Sequence, residues 1–165
     1  MPMNLDDVFA LPAVQADAHE ITRRRTIRQK IINLEESMKT LDGAVTEIDT
    51  AHRFSNGIYA REVFIPKGML LTGKIHKTEH LNIISKGDVS VLTEFGADRL
   101  TAPSTFISQP WTKRVVYAHE DSIWTVLHRT DETDLLKIEA DVISENYDEL
   151  IRLEDSQLLA LENKG

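Results

Sequence analysis

Between residues 52 and 129 the sequence alternates short β-branched and aromatic runs with turn-forming residues at close intervals. Regularly punctuated short strands of this kind are typical of a β-sandwich or a small barrel. We therefore predict a mainly β domain over residues 52–130. The predicted strands cover residues 58–65, 70–78, 80–85, 88–94, 98–103, 105–109, 113–120 and 122–129.

Helical patterns flank the β region on both sides. The preceding residues 1–45 predict an N-terminal helical arm whose apolar stripe packs either against its own chain or against another copy. Residues 131–165 predict an acidic, amphipathic C-terminal helical segment. Because the stripe offers a contact surface, we expect a homo-oligomer, either a dimer or a trimer. The stripe has the 4, 3, 4, 3 spacing of a heptad and consists of Ile27, Ile31, Leu34, Met38 and Leu41.

The composition excludes several classes of function. The net charge of −8 comes from residues 131–165, which contain 11 acidic and 3 basic residues. An acidic balance of this kind argues against nucleic-acid binding. The absence of cysteine excludes disulfides and thiolate metal sites. No apolar run approaches the ~20 residues of a membrane helix, and the N-terminus lacks the pattern of a secretory signal. We expect a cytoplasmic or virion-associated protein with no membrane partner.

Gly68 and Gly87 enclose the heptapeptide KIHKTEH with a spacing that resembles the first motif of the cupins. That motif is a glycine, five residues, His-x-His, three or four residues, Glu, six residues and Gly. In this chain Lys74 takes the first His position, His76 the second, and His80 the Glu position. The resemblance implies a cupin-type double-stranded β-helix, a jelly-roll barrel, which here carries an N-terminal helical arm and a C-terminal helix.

The second cupin motif, Pro-x-Gly, two residues and His, fits residues 110–115 less closely. Strict counting places Val115 at the His position, and a slip of one residue places Arg114 there. The family's metal is held by three histidines and a glutamate, and of these four positions only His76 keeps the family residue. Residues 70–128 also resemble small cupins carried by bacteriophages, which implies a virion or accessory component.

Side-chain alternation brings several polar residues of the predicted strands to one face. This convergence requires that the face of Val115 points into the barrel. A slip of one residue would bring Arg114 inward instead, and His128 lies at the far end of the face. The predicted ligand pocket comprises Lys74, His76, His80, Tyr117 and His119.

Three functions fit this pocket. In the first, His76, His80 and either His119 or His128 bind a metal such as Zn²⁺, Fe²⁺, Mn²⁺ or Ni²⁺. The protein is then an enzyme acting on a small anionic metabolite held by Lys74. In the second, no metal binds and Lys74 forms an anion pocket with the histidines. In the third, the barrel is a non-catalytic binding or assembly protein whose arms contact its own copies or other structural proteins. We expect the third, with the metal-dependent enzyme as the alternative and with His119 as the third ligand.

Overall fold

The structure is a computed structural model that describes residues 17–163 and contains three helices and eleven strands within that range. None of the described helices is long and apolar enough to cross a membrane. The helices are α1 (Ala18–Lys39), α2 (Leu135–Val142) and α3 (Asp148–Glu162). The strands are β1 (Thr50–Ser55), β2 (Ile58–Ile65), β3 (Leu70–Thr72), β4 (Ile75–His76), β5 (His80–Lys86), β6 (Asp88–Thr93), β7 (Gly96–Thr101), β8 (Ser104–Ser108), β9 (Val115–Ala118), β10 (Ser122–Arg129) and β11 (Ile143–Ser144).

The strands form two antiparallel sheets and one short pair. The first sheet has the order β1-β2-β10-β5-β8, and the second has the order β3-β9-β6-β7. The short pair joins β4 to β11. Since the chain passes repeatedly from one sheet to the other, β2-β10-β5-β8 and β3-β9-β6-β7 are the two four-stranded layers of a double Greek key. The strand order alone therefore confirms the predicted jelly-roll barrel.

The core lies between the two layers because apolar residues alternate along the strands. On β10 the inward side chains are Ser122, Trp124, Val126 and His128, each of which is buried. The apolar part of this core continues across both sheets. Its buried residues are Val63, Ile65, Ile84, Val89, Val91, Val116, Ala118, Trp124 and Val126.

The last two strands of the barrel do not form the hairpin that their proximity in sequence predicts. Strand β9 pairs with β3 and β6, whereas β10 pairs with β2 and β5 in the opposite sheet. The inward residues of β9 are Val116 and Ala118, so Tyr117 points outward with 41% of its surface exposed. The expectation that Val115 and Tyr117 face inward is therefore wrong by one residue along β9.

A buried ion network fastens the two flanking helices to the barrel. The guanidinium of Arg28, on α1, donates from Nε to Glu94 at 2.6 Å and from Nη1 to Glu154 of α3 at 3.1 Å. All three side chains are almost fully buried. Glu94 lies in the turn between β6 and β7, so one guanidinium joins both helices to the second sheet.

The predicted apolar stripe of the arm is divided between interior and surface. Ile31 is 2% exposed and packs within its own chain, whereas Leu41 is 63% exposed and lies beyond the end of α1. The other three members are half-buried. Self-association through this stripe stays a prediction, and residues 1–16 of the expected arm lie outside the described residues.

Candidate functional site

The candidate site is a cluster of three imidazoles at one end of the barrel interior. His76 ends β4, and its backbone is held from two sides. It pairs with Ile143 of β11, and its carbonyl accepts a hydrogen bond from the backbone N–H of Trp111 at 2.6 Å. These contacts fix the position of His76 although β4 is only two residues long.

His80 begins β5 and has a defined tautomer. Its Nδ1 lies 2.9 Å from the carbonyl oxygen of Thr78, which can only accept a hydrogen bond. Nδ1 therefore carries the proton, and the lone pair of this imidazole is on Nε2. A backbone carbonyl that orients an imidazole in this way is a common feature of histidines that ligate metals.

His128 lies near the end of β10 and points inward because Trp124 and Val126 share its face. Its ring stacks on Tyr59 of the neighbouring β2, with the ring centroids 6.3 Å apart. The hydroxyl of Tyr59 lies 2.7 Å from Nδ1 of His52, which ties this ring to the next strand, β1. Packing on Tyr59 therefore orients the third imidazole of the cluster.

The three imidazoles meet closely. Ring centroids lie 4.4 Å apart for His76 and His80, 5.0 Å apart for His80 and His128, and 5.2 Å apart for His76 and His128. One nitrogen of each residue lies within 4.8 Å of the nitrogens of the other two. Nδ1 of His76 is buried and has no hydrogen-bond partner within residues 17–163. A buried nitrogen without a partner, beside two further imidazoles, fits a divalent transition metal.

Burial keeps all three imidazoles neutral. It lowers the pKa of His76 to about 2, with further lowering from the neighbouring imidazoles and from Arg114 and Arg61. It also lowers the pKa of His80 and of His128 to about 4 in each case. Because a metal binds neutral imidazole, the cluster is in its ligating form at neutral pH.

Two arginines face the cluster. Arg114 is 6% exposed, donates from Nη2 to Oγ of Ser108 and approaches Nε2 of His80 to 3.5 Å. Arg61 shares the inward face of β2 with buried Tyr59, and its charge lowers the pKa of His76 and of His128. Within the described part of the chain neither guanidinium forms an ion pair with a carboxylate. Two positive charges, unpaired within this part of the chain, therefore flank the cluster.

The structure brings together only two of the five predicted pocket residues, His76 and His80. Lys74 is 62% exposed and pairs with Glu139 of α2 on the surface. Tyr117 and His119 lie elsewhere, with Nε2 of His119 at 2.7 Å from Oγ of Ser90. The one-residue shift of β9 and the absence of a β9–β10 hairpin separate Tyr117 and His119 from the cluster. The third imidazole of the cluster is accordingly His128 rather than His119.

Arg61 was not among the predicted site residues, although the sequence carries a signal for it. In the run IYAREVFI the alternate residues Tyr59, Arg61, Val63 and Ile65 share one face, and the other three are apolar or aromatic. A charged residue on a face that otherwise enters the core indicates a buried polar function.

No family model and no curated protein matches the chain. Among solved structures it is similar to KdgF from Halomonas sp., with a TM-score of 0.43 and 18% identity, covering 52% of this chain and 82% of that one. It is similar to a cupin-2 domain containing protein from Shewanella frigidimarina, with a TM-score of 0.43 and 11% identity, covering 63% and 99%. It is also similar to an acetylacetone dioxygenase from Acinetobacter johnsonii, with a TM-score of 0.42 and 18% identity, covering 53% and 61%.

These likenesses are remote and concern the fold alone. The layers β2-β10-β5-β8 and β3-β9-β6-β7 carry the assignment independently of them. From this strand order we conclude that the chain has a double-sheet jelly-roll fold.

Proposed function

We propose that the protein is a metal-dependent enzyme of cupin fold that acts on a small anionic metabolite. The observation that supports this proposal is the cluster of His76, His80 and His128, whose nitrogens lie within 4.8 Å of one another. Three neutral imidazoles leave coordination positions open for a substrate. A divalent metal bound there would act as a Lewis acid on a substrate oxygen.

The positive surroundings support an anionic substrate. Arg61 and Arg114 lie beside the cluster without a carboxylate partner among residues 17–163. Guanidinium groups bind carboxylates and phosphates through paired hydrogen bonds, and such bonds are strong where water is excluded. In this proposal the arginines take the role that the sequence assigned to Lys74, which is engaged on the surface by Glu139.

The proposal is tested by elemental analysis of protein purified without an affinity tag. We expect about one equivalent of Zn, Fe, Mn or Ni per chain, lost on His76→Ala or His80→Ala and retained on His19→Ala, which alters an exposed histidine of α1. Protein that contains no metal and takes up none from a solution of these ions contradicts the proposal.

A second candidate is a metal-free anion pocket, and the contact between Arg114 and His80 favours it. Nη2 of Arg114 lies 3.5 Å from Nε2 of His80 and thereby occupies the side of the lone pair that a metal needs. In this case His80 is a hydrogen-bond acceptor and a possible general base rather than a ligand. Metal-free protein that binds a small carboxylate, and loses that binding on Arg114→Met, would favour this candidate.

The non-catalytic assembly role stays a further proposal, together with the virion association and the homo-oligomer. Its support is the pair of flanking helices, α1 and α3, which the network around Arg28 fastens to the barrel. Size-exclusion chromatography with light scattering tests the oligomer. A single species of 18.7 kDa at micromolar concentration would contradict it.

A further inference from the structure

We propose that the metal and a small oxyanion, such as a carboxylate, bind to this barrel cooperatively, with Arg114 as the residue that couples them. The inference rests on the proposed metal-dependent function and goes beyond it by making the anion a condition for tight metal binding. It concerns the charges that surround the three imidazoles.

The first step is the charge balance of the interior. Arg114 is 6% exposed and belongs to a buried polar network, in which Ser108 accepts from both Arg114 and Nδ2 of Asn82, the latter at 2.8 Å. Its guanidinium also lies over the ring of Trp124, 5.5 Å from the centroid. These contacts orient the group but bring no negative charge. A buried cation without a counter-ion is costly in free energy.

The second step concerns the nitrogen of His80 that a metal requires. Nδ1 is engaged by the carbonyl of Thr78, so only Nε2 can ligate, and Nη2 of Arg114 lies 3.5 Å from it. A divalent metal at Nε2 would face this guanidinium at close range. Two like charges at such a distance in a poorly hydrated interior repel strongly.

The third step adds Arg61. Arg61 lies on β2, which neighbours the strand of His128 in the same sheet, and its charge acts on His76 and His128. No carboxylate of residues 17–163 pairs with it. A metal would therefore add two positive charges to two that are already present. An oxyanion bound beside the metal and the guanidinium groups offsets part of this repulsion, because it is attracted by all three. By linkage, each ligand then raises the affinity for the other by the same factor.

The chemical class of the ligand follows from the charges. An anion beside the imidazoles and the two guanidinium groups would contact the metal on one side and a guanidinium on the other. A carboxylate with two oxygens serves both contacts, since a guanidinium binds a carboxylate through paired hydrogen bonds. The inferred ligand class is therefore a small compound with a carboxylate or a comparable oxyanion.

The experiment is a calorimetric titration of Zn²⁺ into metal-free protein at fixed pH and ionic strength, with either sodium chloride or sodium formate as the salt. We expect the Kd for Zn²⁺ to be about tenfold lower in formate or more, within the usual range of coupling between two sites. Weak binding of formate to free Zn²⁺ is corrected by a titration without protein. Equal Kd values in the two salts overturn the inference but leave the proposed function in place.

Variants identify the coupling residue. Arg114→Met keeps an unbranched apolar stem and removes the guanidinium and its charge, so it should bind Zn²⁺ more tightly in chloride and respond less to formate. Arg61→Met serves if the first variant does not fold, with a smaller effect of the same sign. Arg152→Met, at an exposed position of α3, is the charge-matched control and should behave as wild type.

Two further outcomes of these titrations would also reject the inference. No binding of Zn²⁺ in either salt, nor of Fe²⁺, Mn²⁺ or Ni²⁺ in the same titration, rejects the proposed function and the inference together. If formate binds the metal-free protein and the Zn²⁺-loaded protein with equal affinity, the two ligands are not coupled. That result overturns the inference and favours the metal-free pocket.

Discussion

The imidazole rings of His76 and His128 lie nearly parallel, with an interplanar angle of 6° and centroids 5.2 Å apart. They belong to β4 and β10, which do not pair with each other in either sheet. The contact therefore depends on closure of the barrel and on the β4–β11 pair. The cluster is a product of tertiary structure, and local sequence spacing accounts only for His76 and His80.

The identity of the third ligand gives a direct test. We expect His128→Ala to lower the affinity for Zn²⁺ at least tenfold, because removing one of three imidazoles leaves an incomplete ligand set. Calorimetric titration of metal-free protein measures this change. His119→Ala is the control and should bind as wild type, since His119 contacts Ser90 away from the cluster. Loss of binding in the His119 variant instead would show that the ligand set is assigned wrongly.

The stability of the metal-free protein should depend on pH through the buried imidazoles. Burial lowers the pKa of His80 and of His128 to about 4, whereas an unfolded chain binds protons near 6.5. Between these values the unfolded state holds more protons, so the free energy of unfolding rises with pH. We therefore expect full stability above pH 6.5 and progressive loss as the pH falls toward 4.

Urea unfolding at a series of pH values, with a chelator present, measures that dependence. The variant His128→Phe should give a shallower slope over the same interval, because one of the depressed imidazoles is gone. A wild-type slope no steeper than that of the variant contradicts the assignment of His128 as a buried neutral imidazole.

The buried ion network should be sensitive to the loss of its cation. Arg28→Ala leaves the carboxylates of Glu94 and Glu154 buried without this partner, and breaking a buried pair costs about 3–5 kcal/mol. Arg23→Ala, whose partner Glu20 is on the surface of the same helix, should destabilise far less, because solvent screens an exposed ion pair. Urea unfolding of both variants compares them. Equal destabilisation would mean that the network does not join the helices to the barrel.

The two glycines of the first motif should differ sharply in their tolerance of alanine. At Gly87 a Cβ would lie 2.1 Å from Oγ of Ser122 and 2.6 Å from its Cα, and φ is +94°. Steric overlap and a left-handed backbone together should cost about 3 kcal/mol or more. At Gly68 φ is +81° but nothing lies within 4 Å, so only the backbone cost of about 1–2 kcal/mol applies. Urea midpoints of the two variants in the reverse order would contradict this explanation.

The barrel was predictable because its signals are short-range. Turn residues such as Gly68 and Gly87 mark the strand ends, and the alternation along β10 indicates an inward face with His128 on it. A jelly roll also places successive runs such as β8, β9 and β10 in alternating sheets, as the structure shows. The motif spacing therefore gave both the fold and two of the three imidazoles.

The register of β9 was not predictable from its residues. Val115 and Val116 are adjacent, both are apolar and both are buried, so alternation gives no sign of which one faces the core. Because Val116 rather than Val115 faces the core, Arg114 points inward and Tyr117 outward. This register therefore determines which side chains surround the site. The contact of Lys74 with Glu139 was likewise not predictable from the sequence, because it depends on where α2 packs.

The C-terminal segment supports the site through main-chain contacts. Ile143 pairs with His76, and the carbonyl of Val142 accepts a hydrogen bond from the N–H of Lys77 at 2.8 Å. Such contacts do not depend on which side chains the segment carries. The pairing of residues 142 and 143 with the strand of His76 therefore tolerates side-chain changes at these two positions, whereas a deletion or a proteolytic cut before residue 142 would remove the main-chain support of the site.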